Sequence, residues 1–124
     1  MVDDFVGVII EESLEDKTIL KKVKIVKTEV EWVTGKHKTP WLERWTLHSV
    51  EIPEATAATI ATVLSHALHP GYWYADFKNR THHYIIFHER IFYIDKRDGK
   101  HYGEARKYGL SLGIPMYLNF ASLR

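Results

Sequence analysis

Three short segments rich in aromatic and β-branched residues follow one another closely in the second half of the chain. They span residues 72–78, 82–88 and 91–94, and only two or three residues separate each from the next. Short connections between segments of this kind are typical of β-hairpins. The pattern therefore predicts three consecutive strands joined by tight turns.

One helix separates these strands from an earlier group, and a second helix follows them. Segments at residues 5–10, 23–33 and 44–52 predict the earlier strands. An apolar stripe at helical spacing predicts a helix over residues 53–69, and residues 100–108 form the second. The helices are too few to alternate with the strands. The order favours an α+β fold, a mainly antiparallel sheet with two helices chiefly on one face. A ferredoxin-like arrangement stays open within this class.

The composition bounds the class of protein. A length of 124 residues suits a single domain spanning residues 1–124, and 45% hydrophobic with 27% charged residues is typical of a globular protein. The net charge of +1 does not support a strongly basic nucleic-acid binder, and the lack of cysteine excludes disulfides and thiolate chemistry. No apolar run is long enough to predict a membrane span. The acidic start, with Asp3 and Asp4, is unlike a signal peptide and predicts a cytoplasmic protein.

The hairpin register determines which side chains share a face of the sheet. If Lys78 lies opposite His82 and the pair Glu89-Arg90 forms the next connection, one face is strongly apolar and the first helix is expected to cover it. That inner face holds Trp73, Ala75, Phe77, His83, Ile85, Phe87, Phe92 and Ile94. We expect one core to combine helical and strand residues, namely Ile60, Leu64, Leu68, Trp73, Phe77, Ile85 and Phe87.

The opposite face, here called the tyrosine face, is too apolar for an ordinary solvated sheet. It holds Tyr72, Tyr74, Asp76, Lys78, His82, Tyr84, Ile86, His88, Ile91 and Tyr93. Three interpretations remain open: the N-terminal half covers this face, a second copy or another protein docks on it, or it binds a ligand or a nucleic-acid base. The candidate binding residues on it are Tyr72, Tyr74, Lys78, Tyr84 and Tyr93.

A loop at residues 34–43 carries one more candidate binding residue, Trp41. Because Trp41 follows Lys36 and Lys38 closely, the loop is suited to a partner peptide or an anion. The alternative is that the tryptophan ring packs back onto the core.

Acid–base chemistry on the tyrosine face would depend on Asp76. The expected register places Asp76 opposite Tyr84 and diagonal to His82, a trio able to transfer protons if Asp76 were partly buried. An ordinary cross-strand hydrogen bond is the alternative interpretation. The chain has eight histidines, but their spacing brings no three or four ligands together, so we expect no metal site and no cofactor.

Several stretches carry a family resemblance. Residues 69–79 are HPGYWYADFKN, residues 84–87 are YIIF and residues 107–115 are KYGLSLGIP. With KTPWL at residues 38–42 and WTLH at residues 45–48, they resemble a family of small, uncharacterised bacterial proteins. The resemblance implies a bacterial, stand-alone small protein. It implies no activity and carries over no catalytic residue.

These patterns favour a non-catalytic binding or interaction module that uses its aromatic sheet face, with a homodimer or a protein partner as its assembly. One alternative is a small enzyme with Asp76, His82 and Tyr84 as its acid–base residues. The other is a single-stranded nucleic-acid binder that stacks bases on aromatic rings. Residues 81–87 lack the aromatic RNA-binding pattern of RRM domains, which disfavours nucleic acid.

Overall fold

A computed structural model describes residues 3–33, 43–71 and 73–114 of the chain. The strands in these residues are β1 (Phe5–Ile10), β2 (Lys24–Trp32), β3 (Arg44–Ile52), β4 (Tyr74–Lys78), β5 (His82–Phe87) and β6 (Arg90–Asp95). The helices are α1 (Ala57–Ala67) and α2 (Gly99–Ser111), with short 3-10 helices at Glu11–Ser13, Lys17–Lys21 and Glu54–Thr56. Each predicted strand and helix is present, with ends that differ by a few residues.

The strands form one six-stranded antiparallel sheet in the order β2-β3-β1-β4-β5-β6. The first strand of the chain, β1, lies at the centre of the sheet, between β3 and β4. The strands β2 and β6 form its two edges. This architecture confirms the expected α+β class with an antiparallel sheet. It does not establish the narrower ferredoxin-like arrangement.

One hydrophobic core, the α1 core, lies between α1 and one face of the sheet. The predicted helical stripe is buried in it, through Ala57, Ile60, Leu64, Ala67 and Leu68. The sheet contributes Phe5, Ile9, Val50, Ile52, Ala75, Phe77, Tyr84 and Ile86. Because removal of apolar surface from water is the main stabilising contribution to folding, this contact holds α1 on the sheet. The prediction that α1 packs through this stripe is confirmed.

A second core, the α2 core, lies under the other helix. It consists of Ile85, Phe87, Phe92, Ile94, Tyr102, Ala105 and Ile114. Successive residues of a strand point to opposite faces, so Ile85 and Phe87 lie on the face opposite to Tyr84 and Ile86. The two helices therefore cover opposite faces of the sheet.

The expectations that both helices lie chiefly on one face, and that one core joins Leu64 with Ile85 and Phe87, are wrong. The physical reason lies in β5, whose residues from His83 to Phe87 are all buried. A strand that is apolar on both sides needs a covering layer on each face. One helix supplies each layer.

Candidate functional site

The turn between β4 and β5 is one residue longer than the sequence analysis assumed. The backbone N–H of Asn79 donates to the carbonyl of His82 at 3.0 Å. The side-chain oxygen of Asn79 accepts from the backbone N–H groups of Thr81 at 3.0 Å and of His82 at 2.8 Å. Lys78 therefore lies opposite His83 rather than His82. A shift of one residue moves every side chain of β5 to the other face relative to β4.

This shift divides the predicted tyrosine face. Tyr84 and Tyr93 lie on the α1 side of the sheet, directly opposite each other. Tyr74 lies on the α2 side and packs against the α2 core. The prediction that these tyrosines form one face is wrong. Tyr72 and Trp41 lie outside the described residues.

Of the two tyrosines on the α1 side, one is part of the core and one is exposed. Tyr84 is 8% exposed, and its ring lies 5.0 Å from that of Phe77 and 5.3 Å from that of Phe5. Burial raises the pKa of Tyr84 above its usual range, and nearby Tyr93 adds to the shift. Tyr93 is 49% exposed and stacks on His82 with ring centroids 4.7 Å apart. This end of the predicted aromatic surface reaches solvent.

The predicted acid–base trio does not form. Asp76 pairs with Ile85 rather than Tyr84, and both Tyr84 and His82 lie on the other face of the sheet. The side chain of Asp76 contacts His83 instead, with Oδ2 2.8 Å from Nε2. The register shift that divides the tyrosine face causes this difference as well.

A buried chain of hydrogen bonds takes the place of that trio. A carboxylate only accepts hydrogen bonds, so His83 Nε2 donates to Asp76, and His83 Nδ1 forms a second hydrogen bond with the hydroxyl of Tyr102, 3.0 Å away. His83 is fully buried and Tyr102 is 2% exposed, whereas the side chain of Asp76 is 20% exposed. The chain of bonds ties α2 to β4 and β5. With both ring nitrogens satisfied, its role is to hold the α2 layer in place.

Replacement of Tyr102 by phenylalanine is expected to lower the free energy of unfolding by about 1–3 kcal/mol, because it leaves a buried imidazole nitrogen without a partner. Urea denaturation measures the change. Tyr108→Phe in the same helix is the matched control, because its half-buried ring packs on Phe87 and Phe92. If the two variants were equally stable, the buried hydrogen bond would contribute nothing.

A concavity near the exposed Tyr93 lies between two turns, and we call it the turn cavity. It has a volume of about 370 Å³. It is lined by Arg80, Thr81, His82, Asp95, Lys96 and Arg97. One turn joins β4 to β5, and the other joins β6 to α2. Residues far apart in the sequence meet here because β5 and β6 are neighbours in the sheet.

Hydrogen bonds hold both walls of the turn cavity. The second turn is closed by the backbone N–H of Asp98, which donates to the carbonyl of Asp95 at 2.8 Å. The side chain of Asp95 accepts from the backbone N–H of Arg97 at 2.9 Å. The backbone N–H of Lys96 donates to the carbonyl of Thr81 at 2.9 Å and so joins the two turns. The cavity therefore has a fixed backbone frame.

Positive charge exceeds negative charge on this lining. Asp95 is the carboxylate among the lining residues, and the guanidinium of Arg97 contacts both its oxygens, at 3.1 and 2.8 Å. This contact holds the pKa of Asp95 well below its usual range. Partial burial lowers the pKa of Lys96, and the charge of Lys78 lowers it further, against an opposing effect of Asp3. The protonated Lys96 is therefore held beside other cations.

The sequence analysis found part of this site. It selected Lys78 and Tyr93 as binding residues and His82 as a weak catalytic candidate, and all three lie in or beside the turn cavity. It missed Thr81 and the cations of the second turn, Lys96 and Arg97. The hairpin pattern predicts that β5 and β6 are neighbours. The turn before β5 and the turn after β6 both carry cations, so the sequence could have indicated that these cations lie close together.

Two further findings concern the described residues, and a third concerns the whole sequence. Among residues 3–33, 43–71 and 73–114, no group of three or more histidine, aspartate or glutamate side chains is placed to hold a metal ion. No helix in this part of the chain is long and apolar enough to cross a membrane. No family model, curated protein or solved structure matches the chain. The resemblance to small bacterial proteins therefore stays a prediction.

Proposed function

We propose that the chain is a non-catalytic binding module whose ligand is a small molecule carrying a phosphate group, held in the turn cavity. The observation that carries the proposal is the charge of the lining. Arg80, Lys96 and Arg97 line a space of about 370 Å³. Because Arg97 pairs with Asp95, the carboxylate of the lining, the excess positive charge comes from Arg80 and Lys96.

The donor set favours phosphate over a simple carboxylate. A guanidinium presents a planar fork of N–H donors, and a lysine ammonium adds a point charge. Arg80 and Lys96 supply one group of each kind. Together they can address three oxygens from different directions, which a tetrahedral phosphate offers and a flat carboxylate does not. The Nε atom of Arg80 lies 3.3 Å from Oδ2 of Asp3. This contact is at the surface, so an incoming anion can take the place of the Asp3 carboxylate.

Lys96 provides a second support for an anionic ligand. Its charge lies beside that of Lys78, and its partial burial removes some of the water that would otherwise stabilise it. A bound anion would relieve both effects and stabilise the protonated amine. The fixed turns on either side mean that little ordering of the backbone has to accompany binding, which favours affinity.

This proposal keeps the binding module expected from the sequence and moves its surface. The tyrosine face no longer supports it, because Tyr84 lies in the α1 core and Tyr74 on the opposite side. The exposed ring of Tyr93 and the imidazole of His82 border the turn cavity and offer apolar contact to the rest of the ligand. A bacterial origin, expected from the family resemblance, and a cytoplasmic location remain part of the proposal.

The test is a titration with inorganic phosphate, followed through backbone amide resonances at constant ionic strength. We expect shifts centred on residues 80–82 and 95–97, and at least about tenfold weaker binding in the double variant Arg80→Ala/Lys96→Ala, because each charge-assisted bond contributes more than a neutral one. Lys24→Ala is the matched control, since Lys24 lies on β2 and pairs with Glu51. Equal shifts in the wild type and the double variant, or shifts that sodium chloride reproduces, would refute the proposal.

The pH dependence of phosphate binding gives an independent readout. Lys96 loses its proton at a lower pH than an ordinary lysine, because its pKa is lowered. Phosphate affinity should therefore be highest while Lys96 is protonated and fall as the pH rises through this lowered pKa. The Lys96→Ala variant should lack this alkaline decline. An identical decline in that variant would exclude Lys96 as a ligand-binding group.

A further inference from the structure

The strand β2 is an unusually exposed edge of the sheet. All nine of its residues are exposed, and β3 is its strand neighbour within the described part of the chain. An edge strand presents unpaired backbone N–H and C=O groups that can pair with another strand. Val26 and Val30 are each about half exposed on it. Among the described residues, β2 thus presents an exposed sheet edge with two exposed valine side chains, Val26 and Val30.

From this edge we infer that two copies of the chain associate through β2, antiparallel, with the two-fold axis at Thr28. In that register Lys27 of one copy lies opposite Glu29 of the second copy, and the symmetry repeats the pair. Val30 lies across from Val26 of the second copy. The two sheets would then join edge to edge into one continuous sheet.

The choice of Thr28 follows from the hydrogen-bonding pattern and from charge. Outward-facing backbone groups alternate along a strand, so a strand can pair with its own copy only about a two-fold axis through a residue. An axis at Lys27 or at Glu29 sets two identical charges against each other, and an axis at Val30 sets Glu29 against Glu31. Thr28 is the central position that opposes unlike charges. Opposite charges across a strand pair stabilise it, and like charges destabilise it.

Contacts within one chain hold β2 ready for this pairing. The Nζ atom of Lys27 lies 2.6 Å from Oε1 of Glu29, so both side chains lie on one face. Thr28 points to the other face, where its hydroxyl lies 2.9 Å from Nδ1 of His48, and Nε2 of that histidine lies 2.9 Å from a carboxylate oxygen of Glu11. This network fastens the middle of β2 to β3. The irregularity in the ladder lies at Val26, between Ile25 and Lys27, so the two-fold axis places it once on each side of the central residues 27–29.

A second copy fits this edge better than an unrelated strand. The pattern Lys27-Thr28-Glu29 is complementary to itself when reversed, which is what a two-fold interface requires. The opposite edge of the sheet, β6, has charged residues only at its ends, Arg90 and Asp95, and an axis at Phe92 or Tyr93 opposes neither to the other. Pairing of β2 in one copy with β6 in another would leave a free β2 edge and a free β6 edge, so further copies could add without limit. Pairing of β2 with β2 gives a closed dimer.

The test uses two charge reversals and their mixture. Lys27→Glu sets two carboxylates against each other across the interface, and Glu29→Lys sets two ammonium groups there, so each variant alone should dimerise at least about tenfold more weakly than the wild type. A mixture of the two restores unlike charges in the heterodimer, which should form. Analytical ultracentrifugation measures all three samples. The contact within each chain is broken in both variants and is unchanged by mixing, so recovery on mixing reports the interface.

The double variant Lys27→Glu/Glu29→Lys covers the case in which a single reversal impairs folding. It keeps unlike charges both within the chain and across the interface, so it should dimerise like the wild type. A wild-type protein that stays monomeric at every accessible concentration would overturn the inference. So would reversals that leave the dimer unchanged, or a mixture that associates no better than its components.

Discussion

Replacement of Gly7 by alanine is expected to lower the free energy of unfolding by about 3 kcal/mol or more, the top of the range of about 1–3 kcal/mol that is typical of added methyl groups in packed interiors. Gly7 lies in β1, opposite Val50 of β3 and Phe77 of β4. A Cβ atom at this position would lie 2.6 Å from the Cα and Cβ atoms of Phe77 and would clash with the carbonyl oxygen of Asp76. Two of these three atoms are backbone, so a change of side-chain rotamer cannot relieve the overlap.

The position of Gly7 makes the cost large. The ladder between β1 and β4 consists of three residue pairs, with Gly7 and Phe77 in the middle, and it joins the two halves of the sheet. A shift that makes room for the methyl group therefore separates β2, β3 and β1 from β4, β5 and β6. Guanidinium denaturation measures the loss.

The matched control is Gly103→Ala on α2, where a Cβ atom meets nothing within 4 Å. Glycine inside a helix is less favourable than alanine, so this variant should gain about 0.5–1 kcal/mol. The opposite signs of the two changes separate steric overlap from conformational entropy. A Gly7→Ala protein as stable as the wild type would contradict the close approach of β1 and β4.

The second large effect is expected for Leu64→Ala. Leu64 is fully buried in the middle of the α1 stripe. Truncation removes apolar contacts and leaves a cavity, which costs about 2–5 kcal/mol for a buried leucine. The same denaturation experiment measures it.

Thr62→Ala on the exposed side of α1 is the control for this change, since the hydroxyl of Thr62 bonds back to the carbonyl of Ala58 at 3.1 Å. Its effect should stay within about 0.5 kcal/mol. A loss below about 0.5 kcal/mol for Leu64→Ala would show that α1 does not pack on the sheet through this stripe.

The strands and helices of this fold are predictable from local residue patterns. The stripe from Ala57 to Leu68 recurs at helical spacing along α1, and its members are buried. The short connections at residues 79–81 and 88–89 allow only antiparallel neighbours for β5. The predicted position of the β5–β6 turn was wrong by one residue, but the side chains of β6 were still assigned to the correct face relative to β5. The turn uses His88 and Glu89, which displaces the pairing by two residues, and side chains repeat with a period of two.

The β4–β5 register could not be read from hydrophobic alternation. All residues of β5 from His83 to Phe87 are buried: His83 is hydrogen-bonded through both ring nitrogens, and the others are apolar or aromatic. Either register therefore gives a plausible inner face. One asparagine settles it, since the side chain of Asn79 binds two backbone N–H groups and fixes the turn. The tendency of asparagine to close a turn with its side chain is a property of the sequence. In this turn it has a larger effect on the register than the preference for a short loop, from which the register was predicted.

The antiparallel hairpins and the apolar face of α1 are predictable from the sequence alone, because they depend on residues close together along the chain. Long-range packing places α2 on the opposite face and brings Arg80 and Lys96 together at the turn cavity. It also placed β1 at the centre of the sheet and left β2 at its edge. Pairing between distant strands depends on the packing of the whole sheet, and a short stretch of sequence contains no information about which strand will lie beside it.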